Sequence, residues 1–198
     1  MIVRHALLTA MIGVTVGLGG NALSAPSADS SSATAGDASV TPQFGTWRSH
    51  KLDFQFMGFT ATYSCDSLSE KLTLLLRKVG ARTGFNITPV CGRDYAVPDK
   101  SADAQVAFES LQPFSPSGSE AAGPTVPGVW RHVELQPRAP IQLTGTDCEL
   151  VEQFRNRLLP MFTIRNLQSR VNCVPYQSIG DQYFLSFDVF TSAAGKKL

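Results

Sequence analysis

Beyond the first 25 residues the chain holds two histidines, His50 and His132, and each closely follows a Trp-Arg step, Trp47-Arg48 or Trp130-Arg131. An imidazole near neutral pKa is the usual general base, and the abundant Ser and Asp of this chain can be assembled on paper into a Ser-His-Asp hydrolase. Two histidines brought together can also hold a metal, but a structural or catalytic zinc needs at least three protein ligands and no third is apparent. The sequence contains no G-x-S-x-G, no H-E-x-x-H, no Walker loop and no dinucleotide fingerprint. The expectation is therefore a non-enzymatic protein without catalytic, metal or cofactor residues, and the alternative is a small exported hydrolase using His50 or His132 as base.

The four cysteines point elsewhere, to stapling. No C-x-x-C occurs, and an even count in an exported chain reads as disulfides. Export is expected because residues 1–24 form a signal peptide: Arg4 and His5, then an uncharged apolar run from Ala6 to Leu18, then small residues up to a cleavage site after Ser24. That run is well short of the roughly 20 residues a spanning helix needs, so the processed chain should not span a membrane. Cleavage removes one of the 17 Lys/Arg and none of the 16 Asp/Glu, leaving a nearly neutral chain that argues against nucleic-acid binding.

The landmarks recur. Trp47-Arg48 precedes Cys65 by 18 residues and Trp130-Arg131 precedes Cys148 by 18, while Cys91 and Cys173 follow after 26 and 25. An offset of 83 positions relates the Trp-Arg steps and the first cysteines, and 82 the second cysteines, which reads as an internal repeat. Self-contained copies would pair Cys65 with Cys91 and Cys148 with Cys173. Between the copies, residues 115–129 have the Gly/Pro/Ser composition of a linker, and residues 25–46 carry too few large apolar side chains to order themselves. The predicted organisation is signal peptide 1–24, disordered leader 25–46, first module 47–114, linker 115–129, second module 130–192 and tail 193–198.

Within each module the periodicity changes in a fixed order. Leu52, Phe54 and Phe56 alternate, then Gly58 introduces a bend before the β-favouring Phe59 to Tyr63; the counterpart strand runs from Val133 to near Leu143. Leu68, Leu72, Leu75, Leu76 and Val79 recur at helical spacing, with Ser64 or Asp66 as cap and Gly80 as stop. Val151, Phe154, Leu158, Leu159 and Phe162 form the matching stripe, capped by Asp147 and cut short by Pro160. Two closing strands follow in each copy, 85–91 with 106–111 and 167–174 with 183–190, and Val106-Ala107-Phe108-Glu109 aligns with Leu185-Ser186-Phe187-Asp188. The fold class is α+β: two duplicated β-α-β-β modules, each with one disulfide, packed through joined or facing antiparallel sheets.

A partner surface is sought among Trp47, Arg48, His50, Trp130, Arg131 and His132, and in the run Arg155, Arg157, Arg165 and Arg170, where no acid intervenes between Glu152 and Asp181. Each tryptophan is expected to seal the end of a small core with an adjacent Arg over its face. The partner is an envelope protein or an anionic polymer, an exported hydrolase inhibitor being one special case. The run Tyr63-Ser64-Cys65-Asp66, followed by Leu75-Leu76-Arg77-Lys78-Val79-Gly80-Ala81-Arg82 and Cys91-Gly92, resembles uncharacterised exported proteins of Gram-negative bacteria with a YSCD…LLxxxGAR…CG signature. That resemblance implies a periplasmic location and no particular activity.

Overall fold

The alternating stretch around Phe54 and Phe56 is a long strand, β1 (Gln43–Met57), whose Leu52, Phe54 and Phe56 turn into the core. In the computed structural model, which describes residues 43–90, 97–115, 124–176 and 182–195, it is followed by α1 (Cys65–Lys78), β2 (Asn86–Val90), β3 (Ser101–Pro113), β4 (Val126–Leu135), α2 (Cys148–Arg157), β5 (Ile164–Asn172) and β6 (Gln182–Ser192). The succession β-α-β-β thus occurs twice. All six strands join one antiparallel sheet in the order β2-β3-β1-β4-β6-β5. The segment read as a signal peptide, Cys91 and the central part of the expected linker fall outside the described residues.

α1 forms as its stripe requires. Ser64 accepts the Ser67 N–H at 3.2 Å, Leu68, Leu72, Leu75 and Leu76 are fully buried, and Gly80 at φ +84° ends the helix where only glycine is unstrained. In α2 the buried stripe is also as expected, and the chain tightens into a 3-10 turn (Leu159–Met161) at Pro160. Asp147 precedes α2 but does not cap it. Its carboxylate accepts instead from Thr144, Lys71 and the Tyr63 hydroxyl. The expected disulfide Cys148–Cys173 ties the first residue of α2 to the end of β5.

Several boundaries differ from expectation, β3 (Ser101–Pro113) and β5 (Ile164–Asn172) among them. β1 begins at Gln43 and β4 at Val126, because the two strands pair over Gln43–Gly45 and Val126–Gly128 and so draw the ends of the supposed leader and linker into the sheet. β4 stops at Leu135, and residues 136–143 form a turn rather than a strand, since Pro137 and Pro140 cannot donate to a ladder. Phe59 to Ala61 leave the sheet because Glu149 takes their backbone N–H groups at 3.0–3.2 Å.

The pairing of β1 with β4 is short and symmetric. Phe44 opposes Pro127, and these residues are themselves 83 positions apart. Beyond this crossing the strands separate, leaving one edge of β1 open, and α2 covers it with side chains four residues apart. Glu149 takes the N–H groups just described, Gln153 bonds both the N–H and the carbonyl of Met57, and Arg157 donates to the carbonyls of Gln55 and Asp53. One hydrophobic cluster runs through both halves, uniting Phe54, Phe56 and the α1 leucines with Leu135, Phe154, Leu185 and Phe187.

The helix ends are held reciprocally. Arg131 donates to the Lys78 carbonyl at 2.7 Å and Thr191 to that of Gly80 at 3.4 Å, so second-half strands hold the end of α1. Conversely Ser110 donates to Met161 at 2.7 Å, Thr163 donates to Gln112 at 2.9 Å, and Phe108 stacks on Phe162 at 5.1 Å.

Candidate functional site: the outer face of the sheet

Strand alternation puts Trp47, Ser49, Glu109 and Leu111 on the sheet face opposite the helices, together with Trp130, His132, Asp188 and Phe190. Register brings Trp47 opposite Leu111 and Trp130 opposite Phe190. Leu111 and Phe190 are buried there, outside the main core. The close approach needs glycine: a Cβ on Gly45 or Gly128 would come within 2.8 Å or 2.1 Å of the Phe190 ring.

Two clusters of the same make-up flank this centre. Arg82 lies 5.4 Å over the Trp47 ring and pairs with Glu109 at 2.6 Å, while Arg165 lies 4.3 Å over the Trp130 ring and pairs with Asp188 at 3.2 Å. Each carboxylate also holds the neighbouring β1 or β4 side chain. Ser49 donates to Glu109 at 3.1 Å, and His132 Nδ1 lies 3.1 Å from Asp188. The arginine bond, aided by Ser49, holds the Glu109 carboxyl below its ordinary range, and donors from His132, Asn166 and Arg165 do the same for Asp188.

The arginine over each tryptophan is thus not its chain neighbour. Arg131 is drawn away to the end of α1, and Arg48 is exposed. Trp47 and Trp130 are half-buried and roof the small apolar centre around Leu111 and Phe190 rather than the end of the main core. Sequence reasoning passed over Arg82, Glu109 and Asp188. The signal was present, since Arg82 and Arg165 differ by the same 83 positions as the tryptophans, and the alignment of Val106–Glu109 with Leu185–Asp188 already matched the carboxylates.

The remaining sequence-selected residues are dispersed. His50 turns to the helix side, stacks on Phe108 at 5.0 Å and contacts Ser110 at 2.9 Å. Because the Ser110 hydroxyl is donated to Met161, His50 Nε2 must be the donor in that contact. Burial, reinforced by Arg48, lowers its pKa and so favours the neutral ring. Arg155 bonds Ser169 and Asn156, Arg157 the β1 carbonyls, and Arg165 the Asp188 carboxylate, leaving Arg170 exposed on β5. His132 carries a second contact, Nε2 to Ser186 Oγ at 3.3 Å, completing a Ser186–His132–Asp188 succession.

No family model matches this chain, and neither the curated proteins nor the solved structures contain a significant match to it. No helix among the described residues is long and apolar enough to cross a membrane.

Proposed function

We propose that this is a periplasmic, disulfide-stapled, non-enzymatic binding protein that arose by duplication of a β-α-β-β module, with Cys65–Cys91 as the companion of the Cys148–Cys173 bond. Its outer sheet face meets an envelope protein or an anionic envelope polymer. The observation that carries this reading is the pair of matched Trp–Arg–carboxylate clusters on one face. Tryptophan and arginine are the side chains most enriched at binding hot spots, and a guanidinium already braced by a carboxylate and a ring loses little freedom on engagement.

One arrangement favours hydrolysis instead, the Ser186–His132–Asp188 succession. Two features weigh against it. Ser186 projects from β6, which is hydrogen-bonded on both sides, so nearby N–H groups lie in the sheet plane and not toward a substrate above it. Asp188 is also shared with Arg165 and Asn166 instead of serving the imidazole alone.

The test uses mature protein secreted with its disulfides. Capture from envelope extract should be lost on Arg165→Ala combined with Arg82→Ala while the purified variant keeps its circular dichroism spectrum. Hydrolysis of p-nitrophenyl esters that disappears in both Ser186→Ala and His132→Ala would overturn the non-enzymatic reading.

A further inference from the structure

The two clusters differ in the charges that border them, Lys51 beside the first and Glu134 beside the second. A cavity of about 200 Å3 opens beside the first, bounded by Ser49, Lys51, Arg82, Thr83, Phe85 and Glu109. Phe85 and the neighbouring Ala107 supply apolar wall, and Lys51 and Arg82 supply cations. Arg82 is fixed by Trp47 and by its Nη1 bond to Glu109, which leaves most of the five guanidinium N–H donors unspent. Lys51 is exposed.

The offset of 83 places Glu134 where the first half has Lys51, Leu167 where it has Gly84, and Asn166 where it has Thr83. Asn166 donates to Asp188 at 2.9 Å, so in the second cluster that side chain turns back onto the carboxylate. Counting Lys51, Arg82 and Glu109 gives one net positive charge, while Glu134, Arg165 and Asp188 give one net negative charge. A single positive charge beside an apolar wall complements a monoanion better than a phosphate dianion.

We infer that this cavity binds a compact organic carboxylate, its carboxyl between Lys51 and Arg82 and its carbon body against Phe85 and Ala107. The inference rests on the outer face being the binding surface and narrows the anionic partner to that functional group, carried either by a free acid or by a carboxylated polymer.

Titration of the mature protein with benzoate, followed by 1H–15N correlation spectra, tests it. Saturable shifts should centre on Lys51, Thr83, Gly84 and Ala107, the neutral benzamide should produce none of them, and Lys51→Glu, which copies the second half, should weaken binding at least tenfold with the rest of the spectrum unchanged. Lys51→Arg should retain binding. A short oligogalacturonate producing the same shifts at lower concentration would identify a polymer as the source, and benzoate alone a free acid. Absence of saturable shifts by about 10 mM benzoate, equal shifts from benzamide, or undiminished binding by Lys51→Glu would overturn the inference. Envelope capture that persists through any of those results would leave the binding-protein reading standing without it.

Discussion

The Tyr63 hydroxyl donates to Asp147 Oδ1 at 2.5 Å across 84 positions of sequence, joining a residue two before α1 to the residue just before α2. Asp147 is almost fully buried, and Lys71 of α1 supplies its opposite charge at 2.8 Å. Burial, with the Asp147 charge second, pushes the Tyr63 pKa upward, so the phenol remains a donor throughout the physiological range. Removing the carboxylate strands several donors at once. Asp147→Ala should therefore cost about 2–4 kcal/mol and Tyr63→Phe only about 1–1.5, with strong non-additivity in the double mutant measured by urea unfolding.

Glu149 is the other buried acid among the described residues, and its partners are three successive backbone N–H groups. Glu149→Leu keeps volume but orphans those donors. The expected loss is about 2–5 kcal/mol, accompanied by faster amide exchange at Phe59, Thr60 and Ala61. Gln153→Ala, on the exposed part of the same stripe, should cost less than about 1.5 kcal/mol.

Trp130 roofs Phe190, with ring centroids 5.4 Å apart, and its indole N–H reaches Gln43 at 3.0 Å. Trp130→Ala should lower thermal stability by about 2–4 kcal/mol, the range for truncating a large, partly buried aromatic. An unchanged melting temperature for both Trp47→Ala and Trp130→Ala would contradict that structural role.

Acid should weaken the outer face in a defined direction. The Glu109 and Asp188 carboxyls are held below their ordinary ranges in the folded state, so their contribution is fully present above the unfolded-state values and disappears as pH falls through the folded ones. Urea midpoints compared at neutral and acidic pH should show a loss that shrinks in the Glu109→Gln, Asp188→Asn double variant.

Cleavage within 116–123 should leave the two fragments associated in native buffer, because β1 pairs with β4 and each helix end is held by the opposite half. Separation of the fragments under those conditions would contradict the continuous sheet.

Local patterns were legible in the sequence wherever a residue answers to its chain neighbours. The α1 stripe, the Ser64 cap, the early end of α2 at Pro160 and the pairing of Cys148 with Cys173 all follow from spacing or residue chemistry. What escaped depends on approach between distant segments. Asp147 looked like a helix cap until Tyr63 and Lys71 came within reach, and nothing in the local run around Glu149 shows that a strand would leave its sheet there. Arg157 read as part of a basic surface, yet its guanidinium satisfies carbonyls of β1, an edge exposed only because β1 and β4 part after three residue pairs.

The reciprocal seating of the helix ends also orders events in time. A ribosome delivers the first half while Arg131 and Thr191, which hold the end of α1, are still unmade, and Ser110 must wait for Met161. The nascent first half therefore cannot reach its final packing alone, however complete its own strands and helix. Maturation is set by the arrival of β6, and truncation just before Gln182 should leave not a shortened protein but an open, protease-sensitive chain.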